Sequence, residues 1–504
     1  MTGIDWETTA NQPVPIRTPD RFFIGGEWVA PRDGLAAQVT RPDTEEPLYS
    51  VAVATKAEMS AAVAAAREAF DDGPWSRISV AERADYLRAI AAGLRERSAD
   101  LAWLWAAEVG ILHSVARRET AHMADVFDEY AELSTAFGFV EERATKLRGK
   151  RAVLAHEPVG VVGAILAWNG PSISIAYKVA PAILAGCTVV LKSAPEAPGE
   201  ALVLAEVAEE VGLPAGVLNV VTADRDVSEL LVRDARVDKI SFTGSTAAGR
   251  RIAALCAERI ARVSLELGGK SAALILDDYD LERAASTLAR AQCYISGQVC
   301  AALTRVVISR HRRDDFLEAM RSAQAEVRVG SQFDPASTMG PLATNVQRAR
   351  VERYIATGLR QGATLVTGGG RPRHLSRGYF VEPTTFAAVE PHSSIAQEEI
   401  FGPVLAVIDC DDERNAIRIA NDSIYGLNAA VFTHDEDRAL GVARALRSGS
   451  VGHNGPFVDY SIGFGGFKQS GVGREGGVQG LLPYLESKTI VLSGNSTPDR
   501  RIGS

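Results

Sequence analysis

The sequence predicts an α/β protein built on parallel sheets that helices cover on both faces. From about Gly160 onward, apolar runs rich in β-branched residues alternate with helical stretches. Strands that are apolar on both faces are typical of parallel sheets buried between helices. The chain has 504 residues, of which 46% are hydrophobic, so it is long enough to form more than one domain.

The first predicted elements are a hairpin and three helices. Residues 22–29 form two short β-type runs that meet at a Gly-Gly turn. Two Ala-rich amphipathic helices then begin at Thr55 and Ser79, each of which is followed three residues later by a glutamate. This spacing is the capping box that marks a helix start. A third helix is predicted from about Met123 to Phe137.

Two α/β series follow, and a single strand ends the chain. The predicted strands of the first series are residues 159–166, 188–191, 218–221 and 239–242, and its helices are residues 201–211 and about 246–259. The second series begins after Gly268 and ends near Ser470, with strands at residues 272–276 and 305–309 and helices at 281–292 and 313–327. Residues 489–492 are predicted to form a lone strand, which needs a partner, often from another subunit.

Composition excludes several classes of function. With 54 basic and 63 acidic residues the net charge is −9, which argues against nucleic acid or an anionic membrane as partner. Five cysteines without a CxxC pair favour neither a disulfide framework nor a zinc site, and no metal is expected. The N-terminus lacks the features of a signal peptide, and the most apolar run, Val179–Leu191, is too short to span a bilayer. We therefore expect a soluble cytoplasmic protein.

Two stretches, around Cys300 and around Glu266, suggest covalent catalysis. A cysteine is an effective nucleophile near neutral pH when its surroundings favour the thiolate. A glutamate from another part of the chain can act as a general base that activates water. Taken alone, Cys300 fits a small buried hydrophobe more readily than a nucleophile, because that is what most free cysteines are.

Four further stretches have the chemistry of a nucleotide site, although each has a simpler interpretation. Residues 241–249 join a strand to a helix through a glycine turn, which makes a phosphate cradle or an ordinary tight turn. Lys192 follows a strand and is suited to ribose hydroxyls or to the surface. Asn169 can donate to an oxyanion or stabilise a turn. Glu399 and Phe401 can bind ribose and pack on a flat heterocycle.

Together these stretches resemble the NAD(P)-dependent aldehyde dehydrogenase superfamily, of the hydrolytic, non-acylating type. The resemblance runs from about Phe22 to Leu492, and its motifs follow the order and spacing of the family. The matching motifs are Trp168-Asn169, Lys192, Phe242-Thr243-Gly244-Ser245, Glu266-Leu267-Gly268-Gly269-Lys270, Gly297-Gln298-Val299-Cys300, Glu399-Ile400-Phe401-Gly402-Pro403 and Phe464-Gly465-Gly466-Phe467-Lys468-Gln469-Ser470-Gly471.

The resemblance implies a mechanism and a cofactor. Cys300 matches the nucleophile that attacks an aldehyde to give a thiohemiacetal, and Asn169 with the backbone N–H of Cys300 matches the oxyanion hole. Hydride transfer to the nicotinamide leaves a thioester, which Glu266 hydrolyses through water. The expected cofactor is NAD, with NADP not excluded. The implied cofactor-binding residues are Ala167, Trp168, Lys192, Glu196, Gly244, Ser245, Gly249, Leu267, Gly268, Glu399 and Phe401.

The resemblance also implies the fold and assembly of the chain. Two parallel-sheet α/β domains are expected together with a small β oligomerisation element. Residues 1–137 and 156–265 are assigned to the NAD(P)-binding domain and residues 266–471 to the catalytic domain. Residues 138–155 and 472–504 are assigned to the oligomerisation element. Members of the family form dimers or tetramers, so a homodimer or homotetramer is expected.

Three departures from the family pattern refine the expectation. Pro195 stands where a glutamate usually repels a ribose 2′-phosphate, which leaves NADP open. Gly463 replaces a proline, which should loosen a loop near the substrate. Gly170 stands where a bulky side chain is common, which should widen the tunnel for bulky apolar or aromatic aldehydes. The expected wall residues of that tunnel are Gly170, Ile173, Tyr177, Ile295, Phe457 and Phe464.

Two alternatives stay open, a second enzyme activity within the family and a non-catalytic role. The CoA-acylating branch of the family releases its thioester to coenzyme A, and its members generally lack the glutamate matching Glu266. A non-catalytic structural member, such as some lens crystallins, would not need Cys300 or Glu266. Both residues are present, so the sequence favours a hydrolytic enzyme.

Overall fold

The computed structural model of the protein describes residues 6–494. The first five residues of the predicted NAD(P)-binding segment and residues 495–504 of the predicted oligomerisation element lie outside the described residues, as does most of the N-terminal stretch judged for a signal peptide. The strands are β1 (Phe22–Ile24), β2 (Glu27–Val29), β3 (Ala36–Thr40), β4 (Pro47–Ala52), β5 (Val140–Arg143), β6 (Lys150–Pro158), β7 (Val161–Ile165), β8 (Thr188–Ser193), β9 (Leu218–Thr222), β10 (Lys239–Thr243), β11 (Arg262–Glu266), β12 (Ser271–Ile275), β13 (Leu303–Ser309), β14 (Thr364–Thr367), β15 (Thr384–Ala387), β16 (Val404–Cys410), β17 (Asn428–Phe432), β18 (Ser450–His453), β19 (Gly471–Val472) and β20 (Leu485–Ser493).

The helices account for most of the remaining regular structure. They are α1 (Trp6–Ala10), α2 (Lys56–Asp71), α3 (Val80–Glu96), α4 (Ser98–Val109), α5 (His113–Ala136), α6 (Pro171–Ala185), α7 (Gly199–Glu210), α8 (Arg225–Arg233), α9 (Thr246–Glu258), α10 (Leu281–Cys293), α11 (Arg313–Ala325), α12 (Asn345–Arg360), α13 (Ser394–Gln397), α14 (Glu413–Asn421), α15 (Glu436–Ala445) and α16 (Gly477–Leu481). Short 3₁₀ turns lie at Trp75–Arg77, Tyr294–Gly297, Lys468–Ser470 and Leu482–Tyr484.

The first sheet has the strand order β19-β11-β10-β7-β8-β9-β1-β2. Strands β7 to β11 are parallel, whereas β1 and β19 join their neighbours antiparallel. Alternate residues of β7 enter different cores: Val162 and Ala164 pack on one face, and Val161 and Ile165 pack on the other. The sheet is therefore covered on both faces, as the unbroken apolar pattern of its strands predicts.

The second sheet has the order β14-β15-β16-β13-β12-β17-β18, in which only β14 is antiparallel to its neighbour. Here too, Val306 and Val307 lie in separate apolar cores on opposite faces. The predicted α/β class with two parallel-sheet units is confirmed. Both predicted capping boxes form, at Thr55 before α2 and at Ser79 before α3.

Two sequence predictions about elements need correction. The third helix begins ten residues earlier than expected, because α5 runs from His113 to Ala136, and its first turns are largely polar and bury little beyond Ala116 and Thr120. The C-terminal strand is not lone, since β20 pairs antiparallel with β6 of the same chain along its whole length. Together with β5 it forms a three-stranded sheet of order β20-β6-β5.

The elements cut across two predicted domain boundaries. Strand β6 continues to Pro158, past residue 155, where the first segment of the predicted oligomerisation element ends. Strand β19 joins the first sheet, although its last residue, Val472, was assigned to the oligomerisation element. The domain assignment stays a prediction.

Among residues 6–494, no helix is long and apolar enough to cross a membrane. Within the same range, no group of three or more His, Cys, Asp or Glu side chains is arranged to hold a metal ion.

Candidate active site

A large cavity of about 1140 Å³ opens at the carboxyl ends of the first-sheet strands. Residues that directly follow β7, β8 and β10 line it, as do Glu266 at the end of β11 and Cys300 from the loop before β13. In open parallel sheets ligands bind at this edge, because loops and helix N-termini converge there. The cavity therefore joins the ends of the first sheet to the loop that carries the cysteine.

The loop that presents Cys300 is built from strained and tightly packed residues. After α10 the chain turns through Ile295 and Ser296, which adopt left-handed φ values of 46° and 52°. Gly297 follows with φ 74°, and any side chain there would overlap the backbone of Gly402. The buried amide of Gln298 holds the turn by donating to the Ile295 carbonyl at 3.0 Å. This geometry fixes the backbone immediately before Cys300.

Asn169 faces the same loop. Its Nδ2 donates to the Gln298 carbonyl at 3.0 Å, and its own carbonyl accepts from the Trp105 indole N–H at 3.0 Å. A side-chain amide carries two N–H groups, so one remains for a ligand oxygen beside Cys300. Asn169 is thus held from both sides in a position suited to an oxyanion donor.

The environment of Cys300 disfavours the thiolate in the absence of a ligand. Burial raises the pKa of the thiol to about 12, and the carboxylates of Glu399 and Glu266 contribute in the same direction. Cys300 is only half-buried, whereas the other four cysteines are buried. The thiol therefore needs a base when it reacts.

Glu266 is a buried carboxyl group with one unpaired oxygen. Its Oε2 has no hydrogen-bond partner among the described residues, and its Oε1 lies against Gly465, where a side chain would not fit. Burial raises the pKa of Glu266 well above its usual value, and the nearby Glu475 carboxylate raises it further. A carboxyl group in such surroundings is suited to accept a proton near neutral pH.

A buried ion pair next to Glu266 was not found by the sequence analysis. Lys178 lies on α6 with a completely buried side chain, and its ammonium pairs with the Glu475 carboxylate and lies 3.4 Å from the Ser241 hydroxyl. Glu475 lines the cavity. The only signal in the sequence is the lysine itself, which interrupts an otherwise apolar helix.

The ends of β8 and β10 form one arm of the cavity, which we call the cofactor arm. Lys192 is 7% exposed, and no hydrogen bond or ion pair of its ammonium occurs within residues 6–494. Burial lowers its pKa to about 8, although the carboxylates of Glu196 and Asp224 oppose this shift. An unpartnered buried ammonium fits a ligand that offers hydroxyl groups.

The N-terminus of α9 also opens into the cofactor arm. Ser245 caps this helix, and its hydroxyl accepts from the Ala248 N–H at 3.3 Å. Gly244 lies against the ring of Phe242, where a side chain would overlap it. Gly249 does not line the cavity but packs against Leu267, which does. The helix N-terminus can hold an anion such as a pyrophosphate.

Glu399 and Phe401 lie where the cofactor arm meets the Cys300 loop. The Gly269 N–H donates to Glu399 Oε1 at 3.2 Å, and Gly268 leaves room for the carboxylate. Burial raises the pKa of Glu399 to about 7. Phe401 packs edge-to-face on Trp168, with ring centroids 5.4 Å apart.

The profile of the aldehyde dehydrogenase family matches residues 28–490 of this chain. The chain belongs to the aldehyde dehydrogenase family. It is 42% identical to a geranial dehydrogenase from Castellaniella defragrans over 94% of this chain and 98% of that protein. It is 39% identical to a 3-succinoylsemialdehyde-pyridine dehydrogenase of a Pseudomonas species, over 94% of this chain and 99% of that protein.

Solved aldehyde dehydrogenase structures have the same fold. An aldehyde dehydrogenase of Mycobacterium tuberculosis, crystallised with NAD+, superposes with a TM-score of 0.91 at 42% identity, covering 95% of this chain and 99% of the other. A betaine aldehyde dehydrogenase of Staphylococcus aureus, also in complex with NAD+, superposes with a TM-score of 0.94 at 33% identity, covering 99% of both chains. The family resemblance drawn from the sequence motifs is confirmed.

Most positions matched to the family motifs converge on this one cavity. All three expected catalytic residues line it, and so do all the expected cofactor residues except Gly249. The lining cofactor residues are Ala167, Trp168, Lys192, Glu196, Gly244, Ser245, Leu267, Gly268, Glu399 and Phe401.

The second arm of the cavity, the substrate arm, lies beyond Cys300. Four of the expected wall residues line it: Gly170, Ile173, Ile295 and Phe464. The sequence analysis missed several other wall residues, some of them direct neighbours of expected ones and others, such as Trp105, from a distant segment. They are Trp105, Glu119, His122, Tyr294, Val299, Pro456, Val458, Asp459 and Tyr460.

Two expected wall residues lie elsewhere. Tyr177 is completely buried behind the wall, where it stacks on Tyr460 with centroids 5.0 Å apart and bonds to His122 at 3.0 Å. Phe457 is 68% exposed and does not line the cavity.

The loop at Gly463 is held in place in spite of the missing proline. Gly463 has φ 146°, which a proline ring does not permit. The next residue, Phe464, exchanges two backbone hydrogen bonds with Glu475, at 2.7 and 2.8 Å. These bonds hold Phe464, and the looser loop expected from Gly463 stays a prediction.

Proposed function

We propose that this aldehyde dehydrogenase oxidises a bulky apolar or aromatic aldehyde to its carboxylic acid with NAD as cofactor. The observation that carries this proposal is the convergence of Cys300, Asn169 and Glu266 at the junction of the cofactor arm and the substrate arm. A nucleophile, an oxyanion donor and a base in one cavity are the parts that acyl-transfer chemistry needs.

The first step forms a carbon–sulfur bond. The Cys300 sulfur attacks the aldehyde carbon, and its proton passes through water to solvent, which leaves the Glu266 carboxylate free for the second half of the reaction. The carbonyl oxygen gains negative charge, which the free N–H of Asn169 and the backbone N–H of Cys300 stabilise. When bound, NAD supplies the acceptor for the hydride that leaves the thiohemiacetal.

The second half of the reaction releases the acid. Glu266 takes a proton from a water molecule, and the water oxygen attacks the thioester carbon. The carbon–sulfur bond then breaks, and the Cys300 sulfur regains a proton. The Lys178 ammonium lowers the pKa of Glu266, and the Glu475 carboxylate raises it. Because Lys178 and Glu475 form an ion pair, they affect the pKa of Glu266 without adding a net charge to the site.

The charges around Lys192 favour NAD over NADP. Pro195 removes one carboxylate from this region, but the carboxylates of Glu196 and Asp224 lie close enough to Lys192 to raise its pKa. A ribose 2′-phosphate would meet these two negative charges, whereas ribose hydroxyls would not. We therefore expect NAD to be preferred in spite of Pro195.

The substrate arm favours apolar aldehydes without a distal carboxylate. Trp105, Ile173, Tyr460 and Phe464 supply aromatic and aliphatic wall, and Gly170 leaves open space beside Trp105. The solvent-facing end of the arm, which we call the mouth, consists of Glu119, His122 and Asp459. These carboxylates would repel an anionic semialdehyde. They also make cationic aldehydes the second candidate class, and aminoaldehyde and betaine aldehyde dehydrogenases are among the relatives of this chain.

We infer a cytoplasmic homo-oligomer. All five cysteines are free, which fits a reducing compartment. The presence of Glu266 supports hydrolytic rather than CoA-acylating chemistry. The complete set of site residues supports a catalytic rather than a purely structural role.

The test is reduced-cofactor formation across aliphatic, aromatic, terpenoid, cationic and anionic aldehydes, with NAD and NADP in parallel. We expect the aromatic and terpenoid aldehydes to give the highest kcat/KM with NAD, without coenzyme A. The Cys300→Ala variant should be inactive, and the Cys410→Ala variant, altered in a buried cysteine of β16, should remain active. Turnover that needs coenzyme A, or that is restricted to anionic semialdehydes, would contradict the proposal.

A further inference from the structure

A second, small cavity of about 20 Å³ lies at the start of the strands of the second sheet. Lys270, Ser271, Arg305, Asn428 and Ser448 are among its lining residues. It is separate from the large cavity, and none of the proposed catalytic steps uses it. Its walls are mainly polar. Cavities that stay empty inside proteins are apolar, so a polar lining indicates a bound molecule.

Four lining residues carry buried polar atoms without partners. Lys270 Nζ, Ser271 Oγ, Asn428 Oδ1 and Ser448 Oγ have no hydrogen-bond partner among the described residues. Lys270 is 1% exposed, and Ser271 and Asn428 are each 3% exposed. A buried polar group left unpaired destabilises the fold, so four such atoms around one void indicate a common partner.

The lining selects against ions. Lys270, Arg305 and Arg447 are three positively charged residues of the lining and no carboxylate lines it, which excludes a metal cation. An anion would face the lone pairs of Asn428 Oδ1, whose orientation is fixed because Nδ2 donates to the Ala301 carbonyl at 3.0 Å. Arg305 is already used, since it donates to the carbonyls of Lys270, Ile419 and Ala420.

A neutral molecule that both donates and accepts satisfies all four atoms. Lys270 donates, Asn428 Oδ1 accepts, and the hydroxyls of Ser271 and Ser448 do either. A water molecule makes two to four such bonds and needs roughly 10–15 Å³, which the cavity provides.

We propose that this cavity is a binding site for one ordered water molecule, which joins Lys270 to Asn428 and thereby positions the Cys300 loop. Lys270 directly follows Gly269, which lies against the Cys300 carbonyl so closely that no side chain would fit. Asn428 holds the next carbonyl along the chain, that of Ala301. The water therefore connects the two segments that contact the consecutive carbonyl groups of Cys300 and Ala301. Lys270 and Asn428 are positioning residues.

The proposal depends on the proposed function only in naming Cys300 as the nucleophile. The rate of alkylation by iodoacetamide measures the reactivity of the Cys300 thiol without aldehyde or cofactor. Failure of this inference can therefore be distinguished from failure of the proposed function. Cys300 is the one half-buried cysteine, and the other four are buried, so alkylation selects for it.

The functional test is a double-mutant cycle of Lys270→Met and Asn428→Ala on the Cys300 alkylation rate. Each variant should slow alkylation by about tenfold, and the double variant should be no slower than the worse single one, because both remove the same bridge. Ser448→Ala, which removes one hydroxyl, is a milder variant that should slow alkylation less. The control is Thr433→Val, at the opposite end of β17, which should leave the rate unchanged and should combine additively with Lys270→Met. Additive effects of Lys270→Met and Asn428→Ala would overturn the positioning role.

The structural test is a crystal structure of the whole enzyme grown in bromide. A single density peak within hydrogen-bond distance of Lys270 Nζ and Asn428 Oδ1, without anomalous signal and absent in Lys270→Met, would support the water site. An anomalous peak would identify an anion site, and an empty cavity would leave the four atoms unpaired. Either result would overturn the proposal.

Discussion

At the scale of single residues, Glu266 shows how burial prepares a side chain for chemistry. Its pKa is raised by the loss of solvent and by the Glu475 carboxylate, so the protonated form persists to higher pH than for an exposed glutamate. A base must be deprotonated to act. The deacylation rate should therefore rise with pH through the raised pKa of Glu266 and level off above it.

The Glu266→Gln variant tests this role. Glutamine has the same shape but cannot accept the proton of water, so deacylation should slow by roughly a hundredfold or more. The first turnover forms the thioester, so a burst of reduced cofactor should remain in stopped-flow measurements while the steady-state rate falls. The rising pH limb should disappear as well. A steady-state rate equal to that of the unchanged enzyme would remove Glu266 from the role of base.

Gly170 determines the width of the substrate arm. A side chain at this position would meet only the Trp105 ring, at 3.9 Å, and the backbone φ of −147° suits any residue. The Gly170→Phe variant should fold normally and fill part of the arm. We expect kcat/KM for bulky aromatic aldehydes to fall by about tenfold or more, with short aliphatic aldehydes little changed. Gly170→Ala is the matched control and should resemble the parent enzyme. Equal losses for short and bulky aldehydes would contradict the assignment of this wall.

At the scale of elements, α7 carries two buried glutamates, of which Glu206 has a cationic partner and Glu200, among the described residues, has none. Glu200 accepts from the Ser172 hydroxyl at 2.7 Å, its second oxygen has no partner within residues 6–494, and burial raises its pKa to about 8. Glu108 on α4, which bonds to Tyr49, raises that pKa further. Glu206 instead pairs with Arg97 at 2.7 Å.

The contrast gives a prediction for stability against pH. A carboxyl group whose pKa rises on folding binds more protons in the folded state, so it lowers the free energy of unfolding as the pH rises from about 4.5 to about 8. Glu200→Gln removes this contribution. The variant should lose less Tm between pH 6 and pH 8 than the parent, with a gain of about 2–5 °C at pH 8.

Glu206→Gln is the control on the same helix. It leaves the Arg97 charge without its buried partner, so its Tm should fall at both pH values. Thermal melts followed by circular dichroism at pH 6 and pH 8 make the comparison. An unchanged pH dependence in Glu200→Gln would show that this carboxyl group is already ionised in the folded protein.

Local patterns predicted elements better than they predicted the depth at which side chains lie. Apolar runs and capping boxes located the strands and the helices α2 and α3, because these signals act within a few residues. The first half of α5 was missed because it is polar and buries little. Tyr177 was placed in the substrate wall from its position on α6, but Tyr460, more than 280 residues later, covers it. Such layering depends on contacts that no local pattern records.

At the scale of the whole molecule, the motif residues could be found because the family repeats them in order. The partners that set their chemistry could not. Lys178 with Glu475, Trp105 with Asn169, and Asn428 with Ala301 are pairs joined only by the fold. Single residues in helices and loops give no signal of such pairs, so the mouth of the substrate arm and the small polar cavity emerge only from the structure.

The three-stranded sheet concerns the assembly of whole chains. Strand β20 is at the edge of the sheet, and its residues 487–491 are exposed on both faces, including Ile490 and Val491. An unpaired edge strand with exposed apolar residues invites pairing with another chain. We therefore expect the protein in solution to have the mass of two or four chains, with this sheet in the interface.

The Val491→Asp variant tests this expectation. An aspartate in a buried interface between chains would be costly unless paired, so the variant should shift to smaller species in light scattering coupled to size-exclusion chromatography. Val346→Asp is the control, because Val346 is 79% exposed on α12 and its first turn tolerates an acidic residue. A parent protein that runs as a single chain would exclude the oligomer itself. A Val491→Asp variant with the parent's mass would remove β20 from the interface, because a charge at the centre of a chain-to-chain contact cannot leave the association constant unchanged.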